Sequence, residues 1–180
     1  MYVPVKIYAV LTDPNTSAQI VILRENQNQT FLPIWIGASE ANAIRLALEK
    51  ITVPRPLTHD LLKDILTYMN IRLDKAVINN VHRNTYFASL YLKPILSAPD
   101  LTASLREDIA LLTGQLEKRE SHIDDETDPT TIQIDSRPSD AIVLSLRYGS
   151  PLYVAQDVLT QQGDNSELTE WLTHIRPEEA

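Results

Sequence analysis

The chain contains no cysteine, which excludes a disulfide framework, a thiolate metal site and a cysteine nucleophile. Four glycines in 180 residues supply neither a glycine-rich phosphate loop nor a dinucleotide fingerprint. No Gly-x-Ser-x-Gly elbow occurs, so a serine hydrolase of that design is excluded as well. Aromatic residues make up 6% of the chain. Tyr86, Phe87 and Tyr91 are expected to fill a sheet face rather than stack bases, and Trp35 is expected in the core or at an interface. No apolar run approaches the roughly 20 residues of a membrane span. The opening Met1-Tyr2-Val3-Pro4-Val5-Lys6 lacks the basic-then-apolar layout of a signal peptide. The expectation is a cytoplasmic protein without membrane contact.

What is present suffices for one core: 43% of the residues are hydrophobic, and one domain is the default at this length. The net charge of −8 argues at first against a nucleic-acid partner. Its distribution weakens that argument. Nine acids against three bases fall between Ser97 and Thr130, and six acids against Arg176 alone between Ala155 and Ala180. The remainder is mildly basic.

Alternation at Val3, Val5, Ile7 and Ala9 predicts a first strand. Asp13-Pro14-Asn15 and Glu25-Asn26-Gln27-Asn28 read as turns around a second strand, residues 18–24, and into a third, 31–36. Ser39 is placed to N-cap a helix reaching about Lys50, and Thr58 to cap another carrying Leu61, Leu62, Ile65, Leu66 and Met69. Two strands, 76–82 and 85–92, join through Arg83-Asn84. Leu101, Leu105, Ile109, Leu112 and Leu116 recur at helical spacing, ahead of an acidic loop over 121–130. A strand over 131–134, a polar turn and an apolar helix follow, then a strand over 152–154 and a helix near 166–175. An offset of 98 superposes Ile34, Ile36, Ala43, Ile44, Leu46 and Leu48 on Ile132, Ile134, Ala141, Ile142, Leu144 and Leu146. That is the trace of an internal strand–turn–helix duplication, with chance recurrence of aliphatics as the rival. The fold class is α+β, a mixed and mostly antiparallel sheet with packed helices. Residues 1–159 form one domain with an inserted amphipathic helix and acidic loop at 97–130, and residues 160–180 form an acidic tail with a short helix.

Three polar turns precede apolar helices: Gly37-Ala38-Ser39-Glu40, Pro56-Leu57-Thr58-His59-Asp60 and Asp135-Ser136-Arg137-Pro138-Ser139-Asp140. Capping by Ser39, Thr58 and Ser139, with Glu40, Asp60 and Asp140 facing the positive helix ends, is the structural account. It leaves Asp135 and Arg137 over, for which an ion pair pinning the turn is the plain explanation. The functional account brings the turns to one end of the sheet. Glu40, His59, Asp60, Asp135 and Asp140 then converge, and Asp135, Asp140 and Glu40 hold a divalent cation such as Mg or Mn. Arg55 and Arg137, with Thr58 and Ser139, bind phosphate.

The blocks LPIWIGASEANAI (32–44), PRPLTHDLL (54–62), TYFASLYL (85–92) and IDSRPSDAIVLSLR (134–147), in that order, resemble the bifunctional nuclease domain family. Ser136 stands where the family usually has alanine, and the leucine-striped helix stands where many relatives have a short connection. The resemblance implies a nuclease acting on RNA and DNA. Two functions are therefore carried forward. In the first, a cation held by carboxylates activates water, Arg137 or Arg55 stabilises the phosphate, and His59 shuttles a proton. In the second, the chain is a non-catalytic regulatory or interaction module, a homodimer, with the helix over 101–116 docking a partner protein.

Overall fold

The computed structural model describes residues 1–13, 17–25, 30–95 and 130–161. The expected turns at 14–16 and 26–29, the leucine-striped helix, the acidic loop and the helix near 166–175 lie outside the described residues. Seven strands form one sheet: β1 (Tyr2–Thr12), β2 (Gln19–Glu25), β3 (Phe31–Ile36), β4 (Ile71–His82), β5 (Thr85–Pro94), β6 (Ile132–Ser136) and β7 (Leu152–Ala155). Their order is β3-β2-β1-β7-β4-β5-β6. Every neighbouring pair is antiparallel except β4 with β7. The α+β class is as the alternation predicted.

Each half of the sheet is a meander that ends in a helix. β1, β2 and β3 run into α1 (Ala38–Leu48), and β4, β5 and β6 run into α3 (Pro138–Tyr148). The short β7 is inserted between the halves, after which α4 (Gln156–Thr160) closes the described chain. The duplication therefore has a structural counterpart, but in a different register. Helices of equal length start at 38 and 138 and end at 48 and 148, an offset of 100 rather than 98. In a strand, residues two apart share a face, so apolar matching of Ile34 and Ile36 on Ile132 and Ile134 tolerates a slip of two. The helix starts do not. The true register pairs buried Ala41 with Ala141 and buried Ile44 with Leu144.

α1 and α3 pack on each other over one face of the sheet, α1 against β1 and β2, α3 against β4 and β5. The main core lies between them, with Val21, Leu23, Leu32, Ile44, Ala76, Ile78, Ile142 and Leu144 essentially inaccessible. A smaller cluster of Ala9, Ile20, Ile22 and Phe31 occupies the opposite face, as the two-residue period of the strands requires.

α2 (Thr58–Tyr68) is the exception to burial, since none of its residues is buried. Polar contacts tie it to α3: Lys63 Nζ donates to the Arg147 carbonyl at 2.6 Å, and the Tyr148 hydroxyl donates to the Lys63 carbonyl at 3.1 Å. Leu66 meets the core, but Leu61, Leu62, Ile65, Tyr68 and Met69 face outward.

Candidate functional site

The three helices begin alike. Their N-caps are Gly37, Leu57 and Arg137, all with extended backbone and without a side-chain capping bond. Ser39, Thr58 and Ser139 are thus not caps, as their spacing had suggested, but lie within the first turn. The reason is the chain's earlier entry into helical geometry, at Ala38, at Thr58 itself and at Pro138, whose fixed φ suits a first helical position. In consequence Glu40, Asp60 and Asp140 all occupy the third helical position, where a carboxylate can face free amides and the positive helix end. Asp60 does so directly: the Leu57 amide donates to its Oδ2 at 3.1 Å.

Arg137 joins two of these carboxylates. Its Nε and Nη2 donate to Asp140 Oδ2 and Oδ1 at 2.8 and 3.0 Å, a bidentate grip within one turn. Its Nη1 donates to Glu40 Oε1 at 2.8 Å, across the two halves of the fold. His59 Nε2 lies 3.1 Å from Asp140 Oδ1. An ionised carboxylate only accepts, so this ring nitrogen carries the hydrogen. Burial alone would push the Asp140 carboxyl up. The hydrogen bonds and charges of Arg137 and His59 outweigh it and hold that carboxyl below its ordinary range. Reciprocally, the hydrogen bond and charge of Asp140, followed by those of Glu40, make the Arg137 guanidinium harder to deprotonate.

Of the expected convergent set, Glu40, His59 and Asp140 come together, joined through Arg137. Asp60 stands beside them but turns to Arg147, whose Nε is 3.0 Å from its Oδ1 with the N–H not aimed at that oxygen. Asp135 does not join. It is exposed on β6 opposite Ser89 and has no ion-pair partner among the described residues. The expected Asp135–Arg137 pair is replaced by Asp140–Arg137. Neighbouring residues on a strand point to opposite faces, whereas the third helical position folds back over its own N-terminus. Arg55 and Thr58 are exposed and stand outside the pocket.

Fit to a divalent cation was tested on the same geometry. Among the described residues, no three of His, Asp and Glu are grouped so as to hold a metal ion. The charge between Glu40 and Asp140 is the guanidinium of Arg137. The set Asp135, Asp140 and Glu40 does not fit a resident Mg or Mn.

Beside Arg137 opens a pocket of ≈ 350 Å³. Ile34, Trp35 and Ile36 of β3 form one wall, Arg137, Pro138 and Ser139 another, and Asn84, Thr85 and Tyr86 of the β4–β5 turn complete the rim. The opening thus lies between the edge strand β3 and the start of α3. Gly37 lies on the floor with Glu40 folded over it; a methyl group there would overlap the Glu40 carboxylate. Arg137 is 65% exposed at its side chain. Three of its five N–H donors are taken, which leaves one on each Nη for an incoming oxygen. Burial pushes the Tyr86 hydroxyl up, so it stays protonated at neutral pH.

A family model for the bifunctional nuclease domain matches residues 21–111 and 116–167. The chain belongs to the bifunctional nuclease domain family. It is 28% identical over 159 residues to an uncharacterised protein of Mycobacterium tuberculosis, a match covering 88% of this chain and 75% of that relative. It is 24% identical over 153 residues to Bifunctional nuclease 1 of Oryza sativa subsp. indica, covering 85% of this chain and 37% of the rice protein. The family blocks hold most of the pocket. LPIWIGASE carries its first wall, floor and Glu40, and IDSRPSDAI carries Arg137 and Ser139. Sequence reasoning missed Trp35, Asn84 and Tyr86 as pocket residues. Of the two places expected for Trp35, its 59% exposure excludes the core. The signal available was an aromatic in a family block next to the glycine turn.

Among the described residues no helix is long and apolar enough to cross a membrane.

Proposed function

We propose that this chain hydrolyses phosphodiester bonds of nucleic acid in the pocket between β3 and the start of α3. The observation that carries the reading is Arg137, an exposed guanidinium with unused donors at the mouth of a ligand-sized pocket. A phosphodiester oxygen would take those donors, and the charge that develops on phosphorus would be met by a group already oriented by Glu40 and Asp140. Among the described residues Glu40 is the one carboxylate lining the pocket. With Oε1 on Arg137, its second oxygen is the candidate to accept the proton of the attacking water as the P–O bond to the leaving oxygen breaks. His59 stands behind Asp140 and outside the pocket lining, which makes it a positioning residue rather than a proton shuttle.

The test is cleavage of a labelled oligonucleotide by purified wild-type and variant chains. Arg137→Gln and Glu40→Gln should each lower the rate by about 10²-fold or more, with circular dichroism unchanged. Equal activity in both variants would place the cleavage elsewhere or in a contaminant.

A second reading, an interaction module that self-associates, is favoured by one observation. The apolar residues Leu61 and Ile65 of α2 and Met69 at its C-terminal end are about half exposed, and exposed patches of that kind mark contact surfaces.

A further inference from the structure

Along β3, Phe31 to Ile34 are all buried, whereas Trp35 is turned outward and lines the pocket. An indole left in water beside an exposed guanidinium is a combination that suits one ligand class. It offers a flat apolar face for a nucleobase and N–H donors for the phosphate attached to it. The volume of ≈ 350 Å³ is at the small end of ligand pockets, room for one nucleotide rather than for a helix. The walls come from β3 and the start of α3, with the β4–β5 hairpin at the rim. A base inside a duplex keeps both faces against its neighbours, so neither is free to lie on the indole. Only a base released from the stack is.

We propose that the pocket takes a single unstacked nucleotide, with its base on Trp35 and its phosphate on Arg137, so that the preferred substrate is a single strand. The proposal rests on the reading of the pocket as a nucleic-acid site and adds the strandedness of the ligand and the residue that selects it. Asn84 and Thr85 at the rim are polar enough to touch the base edge without demanding one base, which fits a sequence-tolerant site.

The experiment is fluorescence anisotropy with the full chain, using a labelled oligothymidylate and a duplex of the same length, on wild type, Trp35→Ala and Trp35→Phe. The single strand should bind at least about tenfold more tightly than the duplex. Trp35→Ala should lose about tenfold on the single strand, while Trp35→Phe keeps most of the affinity because a stacking face remains. Thermal melts of both variants should match wild type, since the side chain is exposed. Equal affinity for strand and duplex, or an unchanged affinity in Trp35→Ala, overturns the proposal. So does a Trp35→Ala chain whose only change is a lower mass in solution, which would assign Trp35 to a contact between copies. Binding through Trp35 without cleavage would defeat the hydrolytic reading and leave this one standing. Cleavage of duplex as fast as single strand would do the reverse.

Discussion

Asp140 is the residue on which the cluster turns, because it accepts from Arg137 twice and from His59 once. Its folded-state carboxyl is more acidic than in the unfolded chain. As pH falls, the unfolded chain therefore binds its proton first. The stability that Asp140 contributes is complete above about pH 4 and is lost as pH drops through the depressed folded value. Asp140→Asn should consequently show a smaller stability difference from wild type near pH 2 than near pH 7, measured as urea midpoints. A difference independent of pH would mean that the carboxylate is not the stabilising species. Arg137 presents a contrasting case. Its pairs are largely solvent-exposed, so removing it should cost little stability, on the order of 1 kcal/mol or less. Lysine at 137 should still fail to restore cleavage, because a point charge cannot hold two carboxylates and a phosphate in one plane.

At the scale of elements, the strands were legible from alternation because one face of each is buried, and β3 is bounded at 31–36 as expected. The three turns that converge were legible too, as carboxylates one turn into apolar helices. Three features were not. The four-residue β7 was visible as a strand, but nothing local says that it enters the middle of the sheet, between β1 and β4. The exposure of Asp135 depends on the pairing of β6 with β5, which is non-local. The leucines and isoleucine of α2 do not say which face meets the rest of the fold, and it is the charged face that meets α3. Lys63 and Asp60 reach Arg147, and His59 reaches Asp140. Leu61→Ser with Ile65→Ser should accordingly leave the melting temperature unchanged within a few degrees. If the chain self-associates through α2, the same pair should lower its mass in sedimentation experiments. A sharp loss of stability would show instead that the face is covered within the chain.

Across the whole molecule, the offset of 100 gives the site a shape that neither half has alone. Glu40 and Asp140 hold equivalent positions, and Arg137, equivalent to Gly37, is gripped by both. One half supplies a cation at its helix start and the other leaves that place small. Trp35 and Asp135 are likewise equivalent and both exposed, yet only Trp35 lines the pocket. An offset of 98 read from aliphatic residues hides this correspondence, which becomes visible only once the helix starts are known. Since the positive charge between the two carboxylates is a guanidinium, oligonucleotide cleavage should persist in the presence of a chelator. Complete loss of activity in chelator, restored by Mg or Mn, would show that a cation supplies the charge stabilisation assigned to Arg137.

The connection between β5 and β6 has a practical corollary. β5 and β6 are in register from Ala88 opposite Ser136 to Leu92 opposite Ile132. The chain thus leaves and rejoins the sheet at the end away from Arg137 and the β4–β5 turn. Lengthening a connection costs only slowly more entropy, so its two ends are natural splice points. A reporter domain or an affinity handle joined directly after Ile95 or directly before Thr130 would be attached at the end of the sheet opposite the mouth of the pocket.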